Sequence, residues 1–372
     1  MTFPHAQARL DKLRGILRRA QYDCVVLTPG ANFFYLSGIA FEIGSRPILL
    51  LITPDGVPAL VIPALELPRL EGREPFPLRY FCYCDAEGYT TALAAACEAL
   101  SLAGKRIGVE GMKLRFAEGE ALARYAPGSR LEAADDTLQW LRIHKTADEI
   151  AQMRRAIAIS EAALAQVVPQ VRVGMSERQI ARLLSEALNA QGAEAYAFEP
   201  LVLSGENTAQ PHGTSTDRTI REGDLLLFDF GAKSGGYAAD ITRTFVIGAP
   251  SAQIAHIYET VRAANLAGIE AARAGVPCQA VDAAARQVIV QAGYGEHFIH
   301  RTGHGLGLDI HEAPYIREGN GQLLEAGMTF TIEPGIYIAG LGGVRIEDDV
   351  LIADSGAEVL TSFPKTLQSI GV

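Results

Sequence analysis

Leu225-Leu-Leu-Phe-Asp229-Phe-Gly-Ala-Lys-Ser-Gly-Gly-Tyr237-Ala-Ala-Asp240-Ile-Thr-Arg-Thr-Phe245 reads as two strands folded on a hairpin. Residues 225–230 and 237–246 alternate or run apolar, and Lys233-Ser-Gly-Gly236 between them is a hairpin signal. A hairpin symmetric about Ser234-Gly235 sets Asp229 directly opposite Asp240. Cross-strand partners stand about 5 Å apart, so the two carboxylates repel unless a cation lies between them. A second stretch repeats the geometry. Residues 329–338 and 343–352 flank Ala339-Gly-Leu-Gly-Gly343, and symmetry about Gly340 sets Glu333 opposite Glu347.

The repetition extends beyond the hairpins. Arg172-Val-Gly-Met-Ser opens a helix ending at Gln191-Gly192, and Ala272-Arg-Ala-Gly-Val-Pro opens one of nearly equal length ending at Gln291-Ala-Gly293. Pro211-His212-Gly precedes Gly223 and then Asp229; Gly303-His304-Gly precedes Gly327 and then Glu333. Each half therefore offers a His-Gly, a Gly, and a strand carrying a carboxylate. Two such halves facing each other bring their carboxylates to a pseudo-twofold axis.

A lone strand aspartate usually caps a turn or faces water, and a lone Gly-His-Gly is usually a loop. Asp229, Asp240, His304, Glu333 and Glu347 together, in paired hairpins and an internal repeat, point instead to a metal centre. Apolar strands cannot bury four carboxylates cheaply unless something cationic neutralises them. Four carboxylates and an imidazole form a hard donor set without thiolate, which favours Mn²⁺ or a similar divalent ion over structural zinc. Shared carboxylates hold two such ions about 3.5–4 Å apart in hydrolytic centres.

The 372 residues suggest two domains. The balance of 48% hydrophobic and 20% charged residues is that of a soluble globular protein. A net charge of −10 argues against nucleic acid or anionic membrane as a partner. The N-terminus lacks a basic-then-apolar signal pattern, and the longest apolar run, 47–53, is strand-sized. Five cysteines at irregular spacing suggest no disulfide framework and a cytoplasmic location. Cys82-Tyr-Cys84, the one close pair, reads as plain strand.

Residues 1–140 alternate helix and strand: a helix over 7–20 with Leu10, Leu13, Ile16 and Leu17 on one face, strands over 24–27, 48–52, 59–62, 78–82 and 106–109, and a helix over 116–125. This half contains no cluster of metal-ligand types and no phosphate loop, and reads as a structural or dimerising domain. Residues 141–372 form the second domain, entered by a long helix from about Thr146.

Nearly the whole chain, most specifically from Arg142 onward, resembles the Xaa-Pro peptidases, prolidase and aminopeptidase P, of the creatinase-like "pita-bread" metallopeptidases. Ser204-Gly-Glu-Asn207 with Pro211-His212-Gly, the Asp229–Asp240 hairpin, Gly-His304-Gly-Leu-Gly-Leu-Asp-Ile-His311-Glu, Glu333-Pro-Gly and Val-Arg-Ile-Glu347-Asp carry the resemblance. It implies an α+β protein, with an N-terminal creatinase-type α/β domain and a C-terminal pita-bread domain of pseudo-twofold repeat. It also implies two divalent metal ions on the same five residues, with Mn²⁺ expected and Co²⁺ or Zn²⁺ as alternatives, and a homodimer. Glu333 is expected to take the proton of the attacking water, and His212, His300 and His311 to serve the oxyanion or the proline end. His5, His144, His256 and His297 lack such context. His311-Glu312 is no zinc-protease helix motif, since the second histidine is absent.

The expected substrate is a proline-containing peptide, an Xaa-Pro dipeptide ahead of a longer chain for an aminopeptidase. A dipeptidase needs a cation for the free carboxylate. Arg345, Arg301 and Arg46 are the candidates; Arg345 shares the strand face of Glu347 and could instead brace a metal-bound carboxylate. A creatinase-like C–N hydrolase and an inactive metal-binding scaffold are the other readings.

Overall fold

A computed structural model describes residues 5–371. Residues 1–4, where the reading of the N-terminus begins, lie outside the described residues, as does residue 372. The chain divides into two compact units between Arg142 and Ile143, two residues past the boundary read from the sequence.

The N-terminal unit is built on a six-stranded mixed sheet. Its spatial order is Arg79–Tyr83, Ala59–Pro63, Leu49–Ile52, Cys24–Leu27, Arg106–Val109, Arg130–Ala133. The Leu49–Ile52 and Ala59–Pro63 strands form the expected antiparallel hairpin. Cys24–Leu27 runs parallel to Arg106–Val109, which is why nearly every residue of these central strands is buried. The Ala6–Ala20 helix buries Leu10, Leu13, Ile16 and Leu17, the four positions its 3.6-residue period selects. The Tyr89–Ala99 helix had no clear sequence signal because its alanine-rich surface carries little apolar contrast. Cys82 stands on the edge strand and Cys84 just past it.

The C-terminal unit shows the repeat directly. A long helix, Ala147–Val167, precedes the 14-residue helix Glu177–Ala190; Ala252–Ala271 precedes the 14-residue helix Cys278–Gln291. Thr146 caps the first of these in a reciprocal capping box with Glu149. Three consecutive antiparallel strands follow in each half: Leu201–Ser204, Leu225–Phe230 and Ile241–Ile247, then Gly303–Gly305, Thr329–Ile332 and Asp348–Ala353.

The registers of the two hairpins differ in how well symmetry anticipated them. In the second, Ile332 pairs with Asp348 and Gly335 with Arg345, so the same register sets Glu333 opposite Glu347 as expected. In the first, Ser234 pairs with Tyr237, and Asp229 pairs with Thr242 rather than Asp240. The turn sits on Gly235-Gly236, whose φ values of 56° and 83° are both left-handed. A type I′ turn demands positive φ at both central positions and a type II′ turn at the first, which a serine at 234 resists in either case. Moving the turn by one residue moves each cross-strand pairing by two. Asp240 therefore stays on the same face as Asp229 but stands diagonal to it.

Candidate metal centre

The cluster lies where the two hairpins meet. Glu347 N donates to Thr242 O at 3.2 Å, and the fully buried Arg243 donates from one nitrogen to the Glu347 carbonyl (2.5 Å) and from another to Asp348 (2.8 Å). These bonds cross the pseudo-twofold relation and fix one carboxylate hairpin on the other.

Asp240, His304 and Glu347 each turn a ligand atom to a common point, the three atoms lying within 4.8 Å of one another. His304 Nε2 is 3.3 Å from Glu333 Oε1 and 3.7 Å from Asp240 Oδ2. Its other nitrogen, Nδ1, faces the Gly305 carbonyl at 3.1 Å, which sets Nε2 as the free ligand atom. Glu347 accepts from Thr242 Oγ1 at 2.6 Å, and Glu333 from Thr331 Oγ1 at 3.3 Å. Asp229 faces Arg345, which binds its Oδ2.

Without a cation the arrangement is electrostatically costly. Burial, and then the charges of Glu347 and Asp229, push the Asp240 carboxyl well above its ordinary range. Burial with Glu333 and Asp229 does the same to Glu347. Burial raises Glu333 to about 7 against the pull of Arg345. Burial and the neighbouring His311 hold the His304 imidazole well below its usual range, in the neutral form a metal requires. Behind Asp240, the wholly buried Asp349 accepts its backbone N–H at 3.1 Å, while its own Oδ1 has no partner. Crowded buried oxygens plus one neutral imidazole fit a hard divalent cation.

Arg345 spends all three guanidinium nitrogens: one on Asp229, one on Tyr337 (2.9 Å) and one on Thr242 Oγ1 (3.1 Å). Burial works against its charge, yet Tyr337, Asp229 and Glu347 hold it protonated. These contacts are those of a brace on the Asp229 carboxylate, and they occupy every nitrogen of the guanidinium. Arg46 belongs to the N-terminal unit and there makes a two-pronged pair with Asp85 at 2.7 and 2.6 Å.

A cavity of about 560 Å³ opens on the cluster. His212, His300, Arg301 and His311 share its lining with the carboxylates, and Phe198 and Ile310 give it apolar wall. The His311 ring packs edge-on to His304 with centroids 4.1 Å apart. Arg301 stacks over Tyr315 at 4.9 Å. Tyr337 was not anticipated. It lies four residues past Glu333, on the same strand face, and that even spacing was the available signal. Its hydroxyl receives Arg345 and faces His300 Nε2 at 2.9 Å, while His300 Nδ1 faces the Arg301 carbonyl at 2.7 Å. With Arg345 donating to it, the hydroxyl donates onward to a neutral imidazole. Burial, assisted by Arg345, lowers His300 to about 3, so it stays neutral through physiological pH.

Residues 151–354 match the Metallopeptidase family M24, and residues 9–144 match the Creatinase/Prolidase N-terminal domain. The chain belongs to metallopeptidase family M24: it is a hydrolase with a creatinase-type N-terminal domain and a pita-bread C-terminal domain. It is similar to a prolidase of Thermococcus sibiricus (35% identity, 98% of this chain and 99% of that one, TM-score 0.93). It is similar also to the dipeptidase PepE of Mycobacterium ulcerans (35%, all of both chains, TM-score 0.92). A putative dipeptidase of Bacillus subtilis, YkvY, is 34% identical over 96% of this chain and 99% of its own.

Proposed function

We propose that this metallopeptidase is a dinuclear enzyme cutting the bond before proline, with Xaa-Pro dipeptides as substrates. One observation carries the reading: the carboxylate cluster and the histidines His212, His300 and His311 line a single cavity of about 560 Å³. The similarity to a prolidase and to an Xaa-Pro dipeptidase of Bacillus anthracis supports it.

Asp229, Asp240, His304, Glu333 and Glu347 would hold two divalent ions, Mn²⁺ being the choice for so hard a donor set. When bound, the pair supplies Lewis acidity, acidifying water and polarising the scissile carbonyl. The chain's own residues do the rest. Arg345 binds Asp229 and keeps it aimed. Glu333 takes the water proton and passes it to the prolyl nitrogen, which has no hydrogen of its own. His212 and His311 donate to the oxyanion, and His300, held by Tyr337, borders the proline. The free carboxylate of a dipeptide calls for a cation; Arg301 at the cavity can give it, and Arg46 is the other arginine the sequence offers.

A second reading has its own observation. A groove of about 640 Å³ shares Phe198, Pro211, His212 and Asp229 with the cavity and continues to Arg178 and Arg182, space that would suit an aminopeptidase acting on longer peptides. The Mn²⁺-loaded protein offered Ala-Pro and Ala-Pro-Ala side by side decides between them. Cleavage of the dipeptide alone supports the proposal, cleavage of the tripeptide supports the second reading, and cleavage of neither overturns both.

A further inference from the structure

Among the buried carboxylates outside the metal cluster, three stand behind the cavity histidines: Glu177 (0% exposed), Asp282 (2%) and Glu312 (9%). Each holds the segment that carries one cavity histidine. Glu177 accepts from Ser204 N (2.7 Å) and Oγ (2.8 Å), from Asn207 (3.0 Å), and from Thr216 N (2.8 Å) and Oγ1 (2.6 Å), pinning both ends of the loop that bears His212. Asp282 accepts from Thr302 N (3.0 Å) and Oγ1 (2.8 Å). It also grips Arg286, which donates to the carbonyls of Phe298 (3.0 Å) and His300 (2.9 Å). Glu312 follows His311 directly, accepts from Asp309 N at 3.4 Å, and pairs with the buried Lys145 ammonium at 2.7 Å. Room for that pair depends on Gly307, where a Cβ would stand 2.9 Å from Glu312 Oε1.

Burying a carboxyl group is costly before its hydrogen bonds are counted, and an apolar residue of similar volume often serves stability as well or better. Three such groups, each on a different histidine segment, are better explained by the precision of what they hold. We propose that Glu177, Asp282 and Glu312 are positioning residues, each fixing the approach of one histidine, His212, His300 and His311 respectively, to the reacting peptide. This rests on the functional reading of those histidines given above.

The test is a set of double-mutant cycles in the Mn²⁺-loaded enzyme with Ala-Pro as substrate. Glu177→Gln, Asp282→Asn and Glu312→Gln are each combined with His212→Ala, His300→Ala and His311→Ala. Misplacement of about 1 Å costs up to roughly 100-fold, so each carboxylate variant should lose about 10- to 100-fold in kcat/KM. That loss should vanish in the background lacking its own histidine and persist in full in the other two. A merely structural role would give equal losses in all three backgrounds and overturns the proposal. Thr216→Val, Thr302→Val and Lys145→Gln, which leave the carboxylates in place, repeat the cycles should a carboxylate variant fail to fold. Histidine variants of full activity would overturn the functional reading and this proposal with it; impaired histidine variants with additive carboxylate losses overturn this proposal alone.

Discussion

Glu333 carries more of the proposed chemistry than any other single side chain. It faces His304 at 3.3 Å, accepts from Thr331 and lines the cavity. Glu333→Gln keeps an oxygen at that position but cannot take a proton. It should lower kcat by about 10²–10⁴-fold while metal content, read by elemental analysis, stays at wild-type level. Full activity with both metals retained would sink the role. Arg345 poses a different question. Because its guanidinium braces Asp229, Arg345→Met should weaken Mn²⁺ binding in titration calorimetry as well as turnover, since Asp229 loses the group that aims it. A change confined to KM would instead point to contact with substrate. Both residues stood out in the sequence by position. Tyr337 and Thr242, which complete the hydrogen bonds of Arg345, did not, because a strand tyrosine or threonine is commonplace until its partners are known.

At the scale of elements, the decisive pieces are two hairpins whose turns set which carboxylates meet. Glycine placement governs them. A Cβ at Gly231 would collide with the backbone carbonyl of Ala239 across the first hairpin, just where the strands part to let Asp240 turn inward. Gly231→Ala should therefore cost about 1–3 kcal/mol by overpacking and lower the thermal midpoint. Gly321→Ala, where a Cβ would meet nothing within 4 Å, should stay within roughly 0.5 kcal/mol of wild type. Equal midpoints for the two variants would remove Gly231 from this account. The second hairpin was readable residue by residue because its turn is centred on Gly340 (φ 79°) and its pairing follows without a shift. The first was misread by one residue at the turn, since Lys-Ser-Gly-Gly offers two adjacent centres and only the turn's requirement for positive φ chooses between them.

Over the whole molecule, the metal-free protein should be strained by its own charge, and pH exposes the strain. Glu333 is raised from 4.5 to about 7, and Asp240, Glu347 and Asp349 are raised as well, all principally by burial. A carboxyl whose folded pKa exceeds its unfolded one binds more protons when folded, so its contribution to stability is full at low pH and is lost as pH rises through that window. The metal-free protein should thus lose stability relative to its Glu333→Gln variant between pH 4.5 and about 7, by an amount on the order of 1–3 kcal/mol. Added Mn²⁺ should abolish the difference, because a cation takes over the neutralisation the protons performed. Thermal melts of both proteins across that range, with and without Mn²⁺, check this; parallel pH profiles without metal would contradict it. The repeat, the carboxylate strands, the helix caps and the family signature are local patterns, and local patterns are written in consecutive residues. The Arg243 bridge between hairpins, the Arg345–Tyr337–His300 chain and the three carboxylates behind the histidines join residues up to 167 positions apart, such as Lys145 and Glu312. No periodicity encodes such pairs. They exist only once packing has excluded water and left each buried charge to find its partner within the protein.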